Sequence, residues 1–232
     1  RLICWLFARA GIEVTLMSER KIITALVTGG AGGIGSAICR RLAADGYFVA
    51  VNYNSGRERA ERLASEIGGV ALKADVADAV EVAAMIEKFG AVDVLVNNAG
   101  VADYGLFQLT TAEQRARVFA VNIMGAMNCA AAVLPEMLRA QSGCIVNISS
   151  IWGEVGASCE VVYSASKAAL IGFSKALARE VEPSGIRVSY IAPGVIDTPM
   201  NARFTREELA EVGPIGTPED VAEAVAAAIG SE

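Results

Sequence analysis

From Lys21 onward the chain alternates short apolar runs with amphipathic stretches, and that alternation constrains the fold more than any other feature. The runs are IITALVT (22–28), YFVAVNY (47–53), GVALKAD (69–75), VDVLVNN (92–98), GCIVNISS (143–150) and IRVSYIAP (186–193). Each is nearly continuous in its apolar character, as a strand covered on both faces must be. Helical patterns lie between them at 34–45, 56–67, 78–89, 111–140 and 160–182, with a last one at 218–229. Strands alternating with helices, and turn residues at the strand ends, predict an α/β fold whose parallel sheet is doubly wound, with helices on both faces. No repeat, linker or low-complexity segment interrupts the pattern, and 232 residues suit a single domain of this kind.

Composition removes most alternatives. An apolar content of 53% with 20% charged residues requires a packed globule. A net charge of −6, with no run of Lys or Arg, argues against a nucleic-acid partner. The chain has no histidine, which excludes Ser-His-Asp and Cys-His catalysis. Its five cysteines (Cys4, Cys39, Cys129, Cys144, Cys159) are scattered without a C-x-x-C pair, so they read as small buried thiols and no metal site is expected. Cys159 alone falls where it could line a pocket. After Arg1 the apolar run LICWLFA is shorter than the roughly 20 residues a membrane span needs. Met17 opens MSERKIITALVTGG and reads as the natural start, leaving 1–16 as an upstream extension and 17–232 as the domain of a cytoplasmic protein with no membrane partner.

TGGAGGIG (28–35) closes the first strand and opens the first helix. Glycines there let a backbone approach a pyrophosphate, and a helix N-terminus offers it free N–H groups, so the position predicts a dinucleotide. Three glycine spacings fit at once, through Gly30, Gly32 and Gly35, through Gly29, Gly32 and Gly35, or through Gly29, Gly33 and Gly35, so the cluster does not choose among dinucleotide families. The end of the second strand bears on the cofactor. An acidic residue there would hold a ribose and repel a 2′-phosphate. Tyr53, Asn54 and Ser55 occupy that place, with Arg57 and Arg59 just beyond, which points to NADP(H) over NAD(H).

The stretch SSIWGEVGASCEVVYSASK (149–167) carries the remaining chemistry. Tyr163 and Lys167 are four apart at the start of a helical pattern and share one face. A tyrosine ordinarily titrates near 10, and bringing it to about 7 takes roughly 4 kcal/mol. An ammonium at about 4 Å supplies that much with an effective dielectric near 20. The expectation is a phenol made acidic by its lysine, donating a proton to a carbonyl while a nicotinamide delivers hydride and Ser150 hydrogen-bonds the carbonyl oxygen.

TGGAGGIG, NNAG (97–100), VNIMG (121–125), the Ser150…Tyr163-x-x-x-Lys167 set and PGVIDTPM (193–200), in this order and spacing, resemble the compact short-chain dehydrogenase/reductases over about residues 20–230. The resemblance implies a Rossmann-like fold, a ketone substrate and a catalytic tetrad of Asn122, Ser150, Tyr163 and Lys167. In such proteins the Asn holds a helix kink and a water of the proton relay, and the Lys also binds the nicotinamide ribose. It further implies cofactor contacts from Gly29, Gly33, Ile34 and Gly35 at the turn, and from Asp75 and Val76 at the adenine. Asn97, Ala99 and Gly100 would border the adenosine side, and Pro193, Ile196 and Thr198 the nicotinamide. Ser149 is the alternative to Ser150, which the thirteen-residue interval to Tyr163 favours. Family members continue beyond a sequence like Ala228–Glu232 into a last strand, absent here, so the sheet is expected to lack it; with it, a homo-oligomer (tetramer or dimer) would be implied.

Within that family the whole chain looks most like the 3-oxoacyl-carrier-protein reductases, although Gln141 and Ser184 stand where such relatives often carry Arg. SSIWGEVGASCEVVYS resembles instead the reductases of the 5-aminopentanone modification on a lysine of elongation factor P, a protein-borne substrate. Trp152, Glu154 and Glu160 fall in the segment that borders the substrate in this family, and two carboxylates there would suit a cationic amine.

Overall fold

In a computed structural model, described here for residues 22–230, six strands form one parallel sheet in the order β3-β2-β1-β4-β5-β6. The strands are β1 (Thr24–Val27), β2 (Phe48–Tyr53), β3 (Val70–Lys73), β4 (Val94–Asn97), β5 (Gly143–Ile148) and β6 (Ile186–Ile191). Each sits inside one of the six apolar runs. The reason is visible in the packing, because both faces of each central strand are covered. In β1, Ala25 and Val27 meet α1 (Gly33–Ala44), α2 (Arg57–Glu66) and α9 (Pro218–Gly230) in one core, while Leu26 points to the other side. That second core joins α3 (Ala79–Phe89), α5 (Gly125–Ala140) and α7 (Val161–Val181) to Leu95 and Ile145. Cys39, Cys129 and Cys144 are buried in these layers, and burial pushes the thiols of Cys39 and Cys129 up to about 12. They are packing groups, as expected. The expected extension, 1–16, lies outside the described residues.

The strand order reverses between β1 and β4, where connections leave the sheet in opposite directions and open a crevice at the strand ends. Two departures from the sequence pattern matter for that crevice. The single helical pattern over 111–140 is α4 (Ala112–Phe119) and α5 joined through a five-residue π turn, Ala120–Met124. By length and composition this span (mean hydropathy 1.7) could cross a membrane, yet Cys129, Ala130, Val133 and Met137 pack it into the second core. The other departure is two short helices, α6 (Trp152–Val155) and α8 (Arg206–Val212), both beside the crevice. Among the described residues the sheet ends at β6, as expected.

Candidate active site

The glycine turn is built from the backbone outward. Gly29 has φ +61°, a conformation that side chains disfavour. Asn98 donates from Nδ2 to the carbonyls of Thr28 (2.9 Å) and Gly29 (3.2 Å), and the Thr28 hydroxyl accepts from the amides of Asn98 and Ala99 (both 3.0 Å). A Cβ on Gly35 would fall onto the Gly29 carbonyl oxygen and come within 2.7 Å of Asn98 Nδ2. The helix behind this turn, α1, has neither a capping side chain nor an acidic residue in its first turn. Its free N–H groups and positive end are left facing the crevice. By contrast α3, α4 and α8 are capped by Asp78, Thr111 and Thr205.

The crevice encloses about 690 Å³, walled by Gly29, Gly33, Ile34, Gly35, Ala99 and Gly100 near the turn, with Tyr163, Lys167 and Thr198 farther along. Other expected contacts are placed elsewhere. Tyr53, Asn54, Ser55, Asp75 and Val76 do not wall it. Arg57 is turned away and pairs with Glu61 at 2.6 Å, whereas Arg59 reaches the wall. Asp75 spends a carboxylate oxygen on the Ala77 amide (2.9 Å), and Val76 packs against Gly125. Asn97 is buried and donates to Asn147 (2.8 Å), so its side chain ties β4 to β5. Pro193 and Ile196 wall a neighbouring cavity, and Thr198 belongs to both spaces.

Asn122, Ser150, Tyr163 and Lys167 do come together at the ends of β4 and β5. Asn122 sits in the π turn, where its side chain accepts from the Val101 amide (2.8 Å) and donates to the Val101 carbonyl (2.9 Å) and to Ser166 Oγ (3.0 Å). π turns recur at functional sites because the extra residue re-aims a side chain. Lys167 is buried and donates from Nζ to the Ile148 carbonyl at 2.8 Å. Lys167 Nζ and Asn122 Oδ1 converge on Gly100, whose absent Cβ would lie 3.4 and 3.5 Å from them. Ser150 hydrogen-bonds Tyr163 and takes the Trp152 amide on Oγ at 3.2 Å. Ser149 Oγ is committed to the Lys167 carbonyl at 2.9 Å, so of the two serines it is Ser150 that faces the phenol.

The electrostatics differ from the expectation. Burial raises Tyr163 to about 12; its hydrogen bond to Ser150 works against this and the Glu160 charge reinforces it. Burial lowers Lys167 to about 8. The ammonium stands 5.6 Å from the centroid of the Tyr163 ring. A single charge at about 4–6 Å supplies about 3–4 kcal/mol with an effective dielectric near 20. Bringing a phenol from about 12 to about 7 would take roughly 7 kcal/mol. One lysine charge therefore brings the phenol only part of that way, and burial prevails. The phenol stays protonated.

Beyond Tyr163 the second cavity, about 550 Å³, is walled by Trp152, Glu160, Pro193, Val195 and Ile196, and by Tyr104, Phe204, Leu209 and Val212. Trp152 and Glu160 are where the sequence placed them. Glu154 is not: it is exposed and outside the wall. Cys159 stands behind the wall in hydrogen-bond contact with Tyr104. Burial raises the Glu160 carboxyl, and Arg203 works against that rise. Glu208 also faces the cavity, but its carboxylate accepts from the Thr205 amide at 2.8 Å in a capping box. Sequence reasoning missed Tyr104, Phe204, Leu209 and Val212. The Thr205-x-x-Glu208 box was the one signal that a helix began among them.

A dinucleotide crevice ending at a buried Tyr–Lys pair, with a second cavity on the far side of the phenol, defines an oxidoreductase. The chain belongs to the short chain dehydrogenase family, whose model matches residues 23–209, and is an NAD(P)-dependent oxidoreductase acting between C=O and CH–OH groups. It is 42% identical over 193 residues to the 3-oxoacyl-[acyl-carrier-protein] reductase FabG of Staphylococcus aureus, covering 79% of this chain and 78% of that one. It is 40% identical over 218 residues to the uncharacterized oxidoreductase YmfI of Bacillus subtilis (88% and 89%). Among solved structures it superposes on a 3-oxoacyl-[acyl-carrier protein] reductase of Brucella melitensis with a TM-score of 0.83 at 32% identity, covering 89% and 84%. It superposes equally on ElxO with NADP bound (TM-score 0.83, 30% identity, covering 91% and 92%). A relative of each cofactor type exists, since another Brucella melitensis reductase structure holds NADH. The glycine turn with no room for side chains and the uncapped α1 fit such a dinucleotide.

Proposed function

We propose that the protein is an NADP(H)-dependent carbonyl reductase that turns a ketone into a secondary alcohol, with Tyr163 as proton donor. The observation that carries this is the place of Tyr163, which walls both the dinucleotide crevice and the second cavity and is hydrogen-bonded to Ser150. A bound nicotinamide supplies the hydride to the carbonyl carbon. Ser150 holds the carbonyl oxygen, Tyr163 gives that oxygen its proton, and the Lys167 charge stabilises the phenolate left behind. Gly29, Gly33, Ile34 and Gly35 would hold the pyrophosphate, and Lys167 the nicotinamide ribose. Arg59, the basic group in the crevice wall near the turn, supports a preference for the 2′-phosphate of NADP(H). The relatives at 40–42% identity support a 3-oxoacyl thioester, borne on acyl carrier protein, as substrate.

One observation favours a second reading, a ketone that also carries an amine, such as the aminopentanone on elongation factor P. The cavity wall contains the carboxyls of Glu160 and Glu208 and no lysine or arginine. A cationic group suits such a wall better than an acidic carrier does. NADPH oxidation by the purified protein, with acetoacetyl thioester and aminopentanone-modified elongation factor P side by side, separates the readings. Turnover of either that Tyr163→Phe reduces by roughly 10²-fold or more supports the reductase. No turnover of any ketone, or full activity in Tyr163→Phe, refutes it.

A further inference from the structure

Residues 198–213 connect the end of β6 to α9 and roof both spaces. Two consecutive residues of this roof face different ways. Arg203 walls the dinucleotide crevice and Phe204 walls the second cavity. Both close on one side chain that does not belong to the roof. The Arg203 guanidinium lies 5.6 Å from the centroid of the Tyr104 ring, and the Phe204 ring meets the same ring edge-on at 5.2 Å and 82°. Tyr104 in turn lies against Cys159, whose carbonyl accepts from the Gly105 amide at 2.8 Å. Cys159 itself adopts φ +61°, an uncommon conformation for a side-chain-bearing residue. Tyr104 is 48% exposed and belongs to none of the hydrophobic clusters, so the core does not account for an aromatic residue here. At the rim of the 550 Å³ cavity the roof thus meets the facing loop through one ring and two neighbouring roof residues.

We propose that Tyr104 is a specificity-determining residue of this reductase: its ring is the fixed post against which Arg203 and Phe204 shut the substrate cavity. The inference rests on the reductase reading of the same site. The contact is made by two weak ring interactions and no hydrogen bond from the roof, so it can open for a substrate and close over it. A ketone long enough to reach the outer wall is held by this closure; one that fills only the space around Ser150 and Tyr163 is not.

The test compares wild type, Tyr104→Ala and Tyr104→Phe. With NADPH, Tyr104→Ala should raise KM for a long 3-oxoacyl thioester by roughly tenfold, from the loss of both ring contacts, and raise KM for a short ketone by a clearly smaller factor. Tyr104→Phe, which retains the ring, should restore the long-substrate KM. Independently of turnover, trypsin should cut after Arg203 and Arg206 several-fold faster in Tyr104→Ala than in wild type or Tyr104→Phe. An unchanged long-substrate KM, equal losses on short and long ketones, or equal cleavage in all three proteins would overturn the proposal. Should wild type turn over no ketone at all, the reductase reading fails, and the cleavage rates still decide whether Tyr104 holds the roof.

Discussion

Replacing Lys167 by Met should destroy turnover and yet stabilise the cofactor-free protein at neutral pH. Lys167 is buried and titrates near 8, against about 10.5 for a free lysine. For a base whose folded value is depressed, the charge is a burden on the folded state that is fully present below pH 8 and is relieved as pH rises toward 10.5. At 1.36 kcal/mol per unit, this burden is about 3 kcal/mol at pH 7 and about 1 kcal/mol at pH 9.5. Met fills a similar volume without charge, but it leaves the Ile148 carbonyl, which accepts from Nζ at 2.8 Å, without that donor. The orphaned acceptor costs about 1–3 kcal/mol. The net gain at pH 7 is then up to about 2 kcal/mol, or up to roughly 8 °C in Tm for a chain of this size. Urea or thermal unfolding of both proteins at pH 7 and 9.5 checks it. The difference between them should move by about 2 kcal/mol in favour of wild type as pH rises. A difference that does not change with pH would show that the Lys167 charge is not desolvated, and would refute the reasoning.

Arg59→Ala should raise KM for NADPH about tenfold or more and leave KM for NADH within twofold, since a charge-assisted bond to phosphate is worth about 1.5–3 kcal/mol; Arg57→Ala, which removes only an exposed ion pair with Glu61, should change neither. Steady-state kinetics with both cofactors tests the pair. Gly35→Ala should abolish dinucleotide binding measured by fluorescence titration and lower stability by about 1–3 kcal/mol, because its Cβ would collide with the Gly29 carbonyl, Asn98 Nδ2 and Gly30 Cα.

The strands and main helices were legible because both faces of the sheet are covered, and covered strands must be apolar throughout. The convergence of Ser150, Tyr163 and Lys167 was legible because they sit close in sequence on one strand end and one helix, whereas Asn122 came only from the family resemblance. What could not be read has particular causes. The π turn at Ala120–Met124 inserts one residue per turn into a helix without altering its apolar character, so 111–140 looked continuous. Arg57 and Arg59 are two apart on α2, roughly 200° around the axis, so only one of them can face the crevice. The sequence offered both; in the structure Arg59 walls the crevice, and Arg57 takes the i, i+4 partner Glu61. Met200, Phe204, Leu209 and Val212 are apolar for the sake of a cavity, and a cavity wall imposes no period on the chain. Glu154 and Glu160 straddle a turn whose direction no local pattern sets, and only Glu160 faces inward.

The raised Tyr163 and the lowered Lys167 have one cause, since the same burial penalises phenolate and ammonium alike. That suits a reduction. The donor must arrive protonated, and the alkoxide it meets is a far stronger base than a phenolate even at about 12. The lysine then matters after the transfer, by stabilising the phenolate, and only while it is charged. Two pH profiles follow. Ketone reduction needs neutral Tyr163 and charged Lys167, so its rate should be flat from pH 6 to about 8 and fall above it. Alcohol oxidation needs the phenolate and the same ammonium. Its rate should climb about tenfold per unit up to pH 8, where the gain in phenolate begins to cancel the loss of ammonium, and level off beyond. Stopped-flow single turnovers in each direction, with saturating cofactor, measure both limbs. A reduction rate that climbs between pH 6 and 8 would mean that the proton comes from some group other than this phenol.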